Sequence, residues 1–469
     1  MEASRVPARV SPTVTPAALI GLAAVAGVGY ALATYAVNPQ ALPFASVGIV
    51  LLALALWRIE FGIAAILVVA ALGAEEPLSS GSGIFATAAA ALTSAKTWVI
   101  LVAVIELGRA LVGRRSLAWP PIGYAAIVML AAAALGVAIA PSQSAAAGDF
   151  FVLAGSVAVF LLIALLIDDW KQLRVVLATI VLVGLAISLH ALWQYQTGHL
   201  SRVGFISESG AVEYRVASTF SHPNHLAGFL VIMVPVGIAL YRLSRGHGTR
   251  IACAALVALA TLATVITYSR GALLASIALA VVYTRTRRAW PIAAVACALV
   301  VLLAPATLRD RVAGIGDTSS PEIASRLDLW EAAGEIFEEH PVAGVGLDGF
   351  SGAYVDLERS ARFHLSVYGR PVNAHNMYLN TLAEQGLVGV VALAVLLFAL
   401  FRLAFLLGRS ATERGHVIGR MLLAVAVVLV VHNFFDVTFL EDQTTSVLAW
   451  AVFGVAAATF RIESREASG

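Results

Sequence analysis

Val372-Asn373-Ala374-His375-Asn376-Met377-Tyr378-Leu379 opens a run that stays apolar as far as Leu407. A run of that length is enough to cross a bilayer core as an α-helix, and its first turn carries an imidazole where a polar loop enters it. Similar apolar runs recur along the 469 residues, of which 60% are hydrophobic and 12% charged, with a mean hydropathy of +0.89. A bilayer forces backbone groups to bond within helices or within closed barrels. The runs are long and continuous rather than short and alternating, which excludes a β-barrel. The fold class is therefore all-α, a polytopic transmembrane bundle of about 12–14 spans with a large extracytoplasmic loop carrying short amphipathic helices. A net charge of +2 without a polybasic tail points to no nucleic-acid partner. Cys253 and Cys297 fall inside apolar runs and read as packing residues. Residues 1–15 are polar and the next run is long enough to span, so no cleavable signal is expected.

Fourteen runs are read as spans, near 15–37, 41–57, 61–74, 84–106, 120–140, 148–168, 172–196, 223–243, 249–267, 270–285, 288–306, 375–407, 419–436 and 442–460. Basic clusters test the list. Arg5 and Arg9 precede the first span, Arg109, Arg114 and Arg115 follow the fourth, and Lys171 and Arg174 the sixth. Arg242, Arg245 and Arg250 follow the eighth, Arg285, Arg287 and Arg288 the tenth, Arg402, Arg409, Arg414 and Arg420 the twelfth, and Arg461 and Arg465 the last. An even count puts all of them on one side, which is then cytoplasmic together with both termini. The domain division is residues 1–306 as a first bundle with a short outer loop at 197–222, residues 307–372 as the large extracytoplasmic loop, and residues 373–469 as the C-terminal spans. In that loop Ser319-Ser320-Pro321-Glu322 reads as a helix start. Ile323, Leu327, Trp330 and Ile336 recur at near-helical spacing, and the helix is expected to end near Glu339, before His340-Pro341.

Three polar segments fall at boundaries on the outer side. Arg215 precedes Ser218-Thr219-Phe220-Ser221-His222-Pro223-Asn224-His225, and its planar fork of donors suits phosphate, although an interfacial arginine also snorkels. Arg270, in Thr267-Tyr268-Ser269-Arg270-Gly271, is out of place on the outer side unless it meets an anion or a lipid headgroup. His375 is placed to accept a proton from a hydroxyl, or simply to bond the adjacent loop. Asn376 caps or orients, Glu384 lies about two turns deeper and faces the bundle interior, and His432, Asn433 and Asp436 line the same cavity or face water. No metal-ligand spacing and no phosphate-binding loop is present. A solute transporter would instead place its polar groups near the middle of the membrane, in paired halves.

The segments beginning at Arg215, at Ser269-Arg270-Gly271 and at His375-Asn376-Met377-Tyr378-Leu379 with Glu384-Gln385-Gly386-Leu387-Val388-Gly389 resemble the bacterial O-antigen ligase and polymerase superfamily. So do Arg326-Leu327-Asp328-Leu329-Trp330 and His340-Pro341-Val342-Ala343-Gly344-Val345-Gly346-Leu347-Asp348-Gly349-Phe350 of the large loop. Their order and spacing cover about the C-terminal half; the N-terminal spans are only generically similar. The resemblance implies a metal-independent, cofactor-free glycosyltransferase of the bacterial inner membrane, active on the periplasmic side. The donor would be a glycan on undecaprenyl pyrophosphate. The acceptor would be a lipid A core, a second lipid-linked glycan or a protein hydroxyl, with a chain-length regulator as a further partner besides membrane lipids. His375 would be the general base. Arg215 and Arg270 would bind the pyrophosphate and stabilise its charge, and His222, Asn224, Asn376 and Arg326 would complete the substrate-binding set. The motifs do not separate ligation from polymerisation.

Overall fold

The computed structural model describes residues 53–55, 57–71, 95–113, 119–201, 203–206, 212–284, 321–357 and 373–468. The first and eleventh expected spans, most of the second, the start of the fourth, Cys297 and Ser319-Ser320 lie outside them. In chain order the helices are α1 Ile59–Ala71, α2 Ala95–Gly113, α3 Gly123–Ile139, α4 Gln143–Leu166 and α5 Trp170–Thr197. A ribbon of β1 Gly204–Ile206 and β2 Val212–Tyr214 comes next. Then follow α6 Pro223–Leu243, α7 His247–Ile266, α8 Arg270–Tyr283, α9 Pro321–Glu339, α10 Phe350–Asp356, α11 Met377–Gly408, α12 Glu413–His432, α13 Thr438–Glu441 and α14 Gln443–Ser468.

Among the described residues seven helices, α4 to α7, α11, α12 and α14, are long and apolar enough to cross a membrane, and α1, α3 and α8 are shorter apolar helices. The protein is a polytopic helical bundle. Its outer faces carry Tyr124, Leu182, Ile251, Phe398 and Phe405 in the open, which suits a hydrocarbon solvent and not water. The core runs along α14, whose residues 445–459 are buried throughout. Gly454 admits the close approach of α4: a Cβ there would meet Ile163 Cβ at 2.8 Å and Phe160 O at 3.0 Å, the small-residue contact by which membrane helices pack. Trp450 closes the same seam against Phe160, Phe439 and Phe453.

Three expectations change. The ribbon after α5 was not foreseen; it is short, and what it positions is described below. The fourth span, expected to end at Glu106, continues as α2 to Gly113, with Glu106 paired to Arg109 inside the helix. The twelfth span is not one helix. Gly386 takes φ 55°, ψ −151° and divides α11 in two. Residues 387–408 alone reach about 33 Å at 1.5 Å per residue, enough for the hydrocarbon core. Of residues 377–385, Met377 and Tyr378 still pack on the main core, whereas Leu379 and Ala383 join a second, smaller core with Leu329, Ala332, Ala333 and Ile336 of α9 and Phe350 and Tyr354 of α10.

A broken helix leaves backbone groups without partners, and the loop after α9 takes them up. Val345 N–H donates to Ala383 O (3.0 Å) and Gly346 N–H to Glu384 O (2.9 Å). Leu387 N–H donates to Pro341 O (2.9 Å) and Val388 N–H to Val342 O (3.1 Å). The contact is so close that a Cβ on Gly386 would stand 2.5 Å from the Val342 carbonyl. Glu384, expected in the span, is buried at this junction, with Oε1 accepting from Phe350 N–H (3.3 Å). Helix α9 ends at Glu339 as the loop chemistry predicts. Its buried stripe is Leu329, Ala332, Ala333 and Ile336, while Leu327 is exposed.

Candidate active site

Polar groups gather at one end of the bundle, where α6, α8 and α11 start and α12 stops. The β-ribbon places Arg215: its N–H donates to Val203 O (3.3 Å) and its carbonyl accepts from Ser201 N–H (2.9 Å). Its guanidinium is buried, with Nε donating to Thr267 O (2.7 Å) and Nη2 to Asn224 Oδ1 (2.8 Å). Thr267 stands three residues before Arg270, so one turn holds the first arginine and carries the second. Arg270 opens α8, and its buried Nε has no hydrogen-bond partner among the described residues. A buried guanidinium donor without an acceptor asks for an anion.

His375 has φ 45°, with its N–H bound to Asn373 Oδ1 (2.8 Å) and its Nδ1 buried. Asn376 caps α11, accepting from Tyr378 and Leu379 N–H (2.9 and 3.1 Å). Met377 N–H donates to Asn433 O (2.8 Å) and Asp436 O (3.0 Å), which ties the start of α11 to the corner after α12. That corner also meets the other segments. Arg326 Nη1 donates to Phe435 O (3.1 Å), and a Cβ on Gly271 would touch Phe435 Cβ at 3.0 Å. The structure thus draws Arg215, Arg270, Arg326 and His375 around one corner.

The rest of the expected set also holds the frame together. Asn224 has given its oxygen to Arg215, and Asn376 its oxygen to the helix start. His222 caps α6, with Nδ1 accepting from Asn224 N–H (3.1 Å). Burial, with Arg215, His375 and His225 nearby, holds the His222 imidazole well below its ordinary pKa despite Asp436. These three position the site's frame.

Asp436 is 2% exposed, so it does not face water. Burial pushes its carboxyl up, but the imidazoles of His225, His375, His222 and His432 outweigh this and hold it well below the usual carboxylate range. His225 bridges to Asp436 (4.0 Å) and Asp442 (3.4 Å). Burial pushes Glu441 up to about 8, with Asn373 Nδ2 donating to it (2.6 Å). His225 was visible in the sequence one helical turn after His222; Glu441 and Asp442 carried no signal, because only the return of the chain at α13 brings them in. Among the described residues no group of three or more His, Cys, Asp or Glu is arranged to hold a metal ion.

Among the described residues the non-glycine residues with left-handed backbone are Ser218, Tyr268 and His375, one in each of the three polar segments, and Asp348 in the large loop. Each such residue costs of order 1–3 kcal/mol and persists where its surroundings over-determine it, commonly at functional sites. At Ser218 this is visible: Gln194 binds both its N–H (2.8 Å) and its carbonyl (3.2 Å), and His190 Nδ1 meets its hydroxyl (2.9 Å).

Residues 254–394 match the family model described as O-antigen ligase. The matched stretch contains Arg270, Arg326 and His375; Arg215 lies before it. No match is found among curated proteins.

Proposed function

We propose, on the premise that this polytopic chain carries a domain of the O-antigen ligase family of membrane glycosyltransferases, that it moves a glycan from undecaprenyl pyrophosphate to an acceptor hydroxyl. The reaction takes place at the extracytoplasmic face of the bacterial inner membrane, with both termini cytoplasmic as the basic clusters require. The observation that carries the reading is the shared turn: Arg215 is bonded to Thr267 O, and Arg270 follows three residues later with a buried donor that has no hydrogen-bond partner among the described residues.

In this reading His375 takes the proton of the acceptor hydroxyl. The acceptor oxygen attacks the anomeric carbon, and the carbon–oxygen bond to the pyrophosphate breaks with both electrons leaving on the pyrophosphate oxygen. Fixed guanidinium groups in a poorly hydrated site are most effective against charge that develops there. A single displacement inverts the anomeric centre. No metal takes part, so chelators leave turnover unchanged; loss of activity restored by magnesium would contradict this.

Ligation onto a lipid A core and polymerisation onto a second lipid-linked glycan use the same chemistry. Purified protein in liposomes, given the lipid-linked donor with and without core acceptor, separates them on a gel. A ladder from donor alone means polymerisation, and a single shift that needs the core means ligation. No transfer to either, from folded protein, would overturn both.

A further inference from the structure

A cavity bordered by two arginines lies at the other end of the bundle. Helix α6 starts in the candidate active site and carries Arg242 about 29 Å away at 1.5 Å per residue. There Arg242 lines a cavity of about 280 Å³ with Ile238 and Ala239 of the same helix, Tyr283 at the end of α8, and Glu413, His416, Val417 and Arg420 of α12. Two guanidinium groups, a phenol and an imidazole therefore border one hollow between three helices. His416 Nδ1 is tied to Thr412 O (3.0 Å), which leaves Nε2 for a ligand. The volume is at the small end of ligand pockets, which run roughly 300–1,000 Å³. It suits a headgroup and is too small for a glycan.

From this we infer that the far-end cavity binds the phosphate of a membrane lipid headgroup. Arginine forks match phosphate oxygens, and basic pockets between membrane helices recognise anionic headgroups. Ile238, Ala239 and Val417 give the cavity an apolar wall beside the cations, as an acyl-bearing ligand requires and a free anion does not. Glu413 faces the donors of such a headgroup, the hydroxyls of a phosphoglycerol.

The test uses the full chain in detergent, equilibrated with phosphatidylglycerol or with diacylglycerol, which lacks the phosphate. Bound lipid is counted by native mass spectrometry. Wild type is expected to retain phosphatidylglycerol and not diacylglycerol. Arg242→Gln with Arg420→Gln should lower retention by about tenfold, as loss of charge-assisted bonds implies. Ile238→Trp keeps both cations but fills the hollow, and should lower retention too, which covers the case in which the double variant does not fold. Arg245→Gln with Arg250→Gln removes charge from the same end outside the cavity, and should change nothing. Equal retention in the cavity variants would overturn the site, as would equal loss in the Arg245/Arg250 control, which means diffuse attraction. Displacement by glycerol phosphate as readily as by the lipid would assign the cavity to a free phosphate instead.

Discussion

At the far end of the bundle Asp168 meets Arg461 (3.0 Å) and Arg465 (3.2 Å), and Ser410 and Thr412 both bond the Glu463 carboxylate. At the site end Asp436 Oδ2 and Arg270 Nε are buried without hydrogen-bond partners among the described residues, and every left-handed non-glycine residue of the described chain is found there. Both ends bring charged groups together where helices meet, and buried donors without partners among the described residues occur at both, Ser244 Oγ at the far end included. They differ in backbone: the far end closes its ion pairs without a left-handed non-glycine residue among the described residues, whereas the site end adds strained backbone to its open groups. Stability alone does not select the strain. Open polar groups held in place by a costly backbone are what a site prepared for a charged ligand looks like.

The contrast breaks most sharply at His375. His375→Ala is expected to lower transfer by about 10²–10⁴-fold, the usual contribution of a general base, while the protein still folds. Asp168→Asn at the far end should leave turnover unchanged and lower only the melting midpoint. Product formation rates and thermal melts on both variants check this; normal product from His375→Ala would remove the proposed base. The two arginines sharpen it next. Lys cannot reproduce a bidentate fork, so Arg215→Lys and Arg270→Lys should both fail in transfer. Arg215 spends Nε and Nη2 on Thr267 and Asn224, so its replacement should also cost about 1.5–3 kcal/mol of stability. Arg270→Lys should melt like wild type. Equal melting losses in the two would make Arg270 a structural residue.

A third variant tests whether the smaller core is fixed to the bundle. Gly386 needs φ 55° and lies against the Val342 carbonyl, so Gly386→Ala should cost at least about 1–3 kcal/mol. Limited proteolysis is expected to open the chain near residues 340–349 first, with transfer falling as the cap loosens. A cleavage pattern like that of wild type would show that the loop does not depend on the break.

Much of the frame was legible because the bilayer makes hydropathy a direct readout of span position. The helix stop at Glu339 was legible because Pro341 and the glycines after it cannot continue a helix. Gly386 was not, since a lone glycine in a long run carries no break signal of its own and its backbone is set by a loop some forty residues earlier. The ribbon was missed because strands of three residues carry no period. The three motif segments were readable as a set, but not the division of labour within them. Arg215 and Asn224 look equally available in a sequence, and only the fold shows that one is spent holding the other.

The smallest expected effect is a pH slope. Glu441 is pushed from 4.5 to about 8 by burial, so across that window the folded protein holds a proton that the unfolded chain has released. Its contribution to stability is therefore full below about pH 4.5 and is lost as pH rises toward 8. His222, with its pKa lowered, acts in the opposite sense below its ordinary 6.5, and Asp436, also lowered, acts only near and below 3.8. Wild type and Glu441→Gln share both of those groups, so the difference between their melting midpoints isolates Glu441. It should widen in favour of the variant from pH 5 to 8, because Gln keeps an oxygen for Asn373 Nδ2 and cannot ionise. Asn373 also holds the His375 backbone, so the loss of order in wild type at high pH should reach the proposed base. A pH-independent difference would mean that Glu441 titrates as an ordinary surface carboxylate, and that the corner around His375 is more open to water than the site end requires.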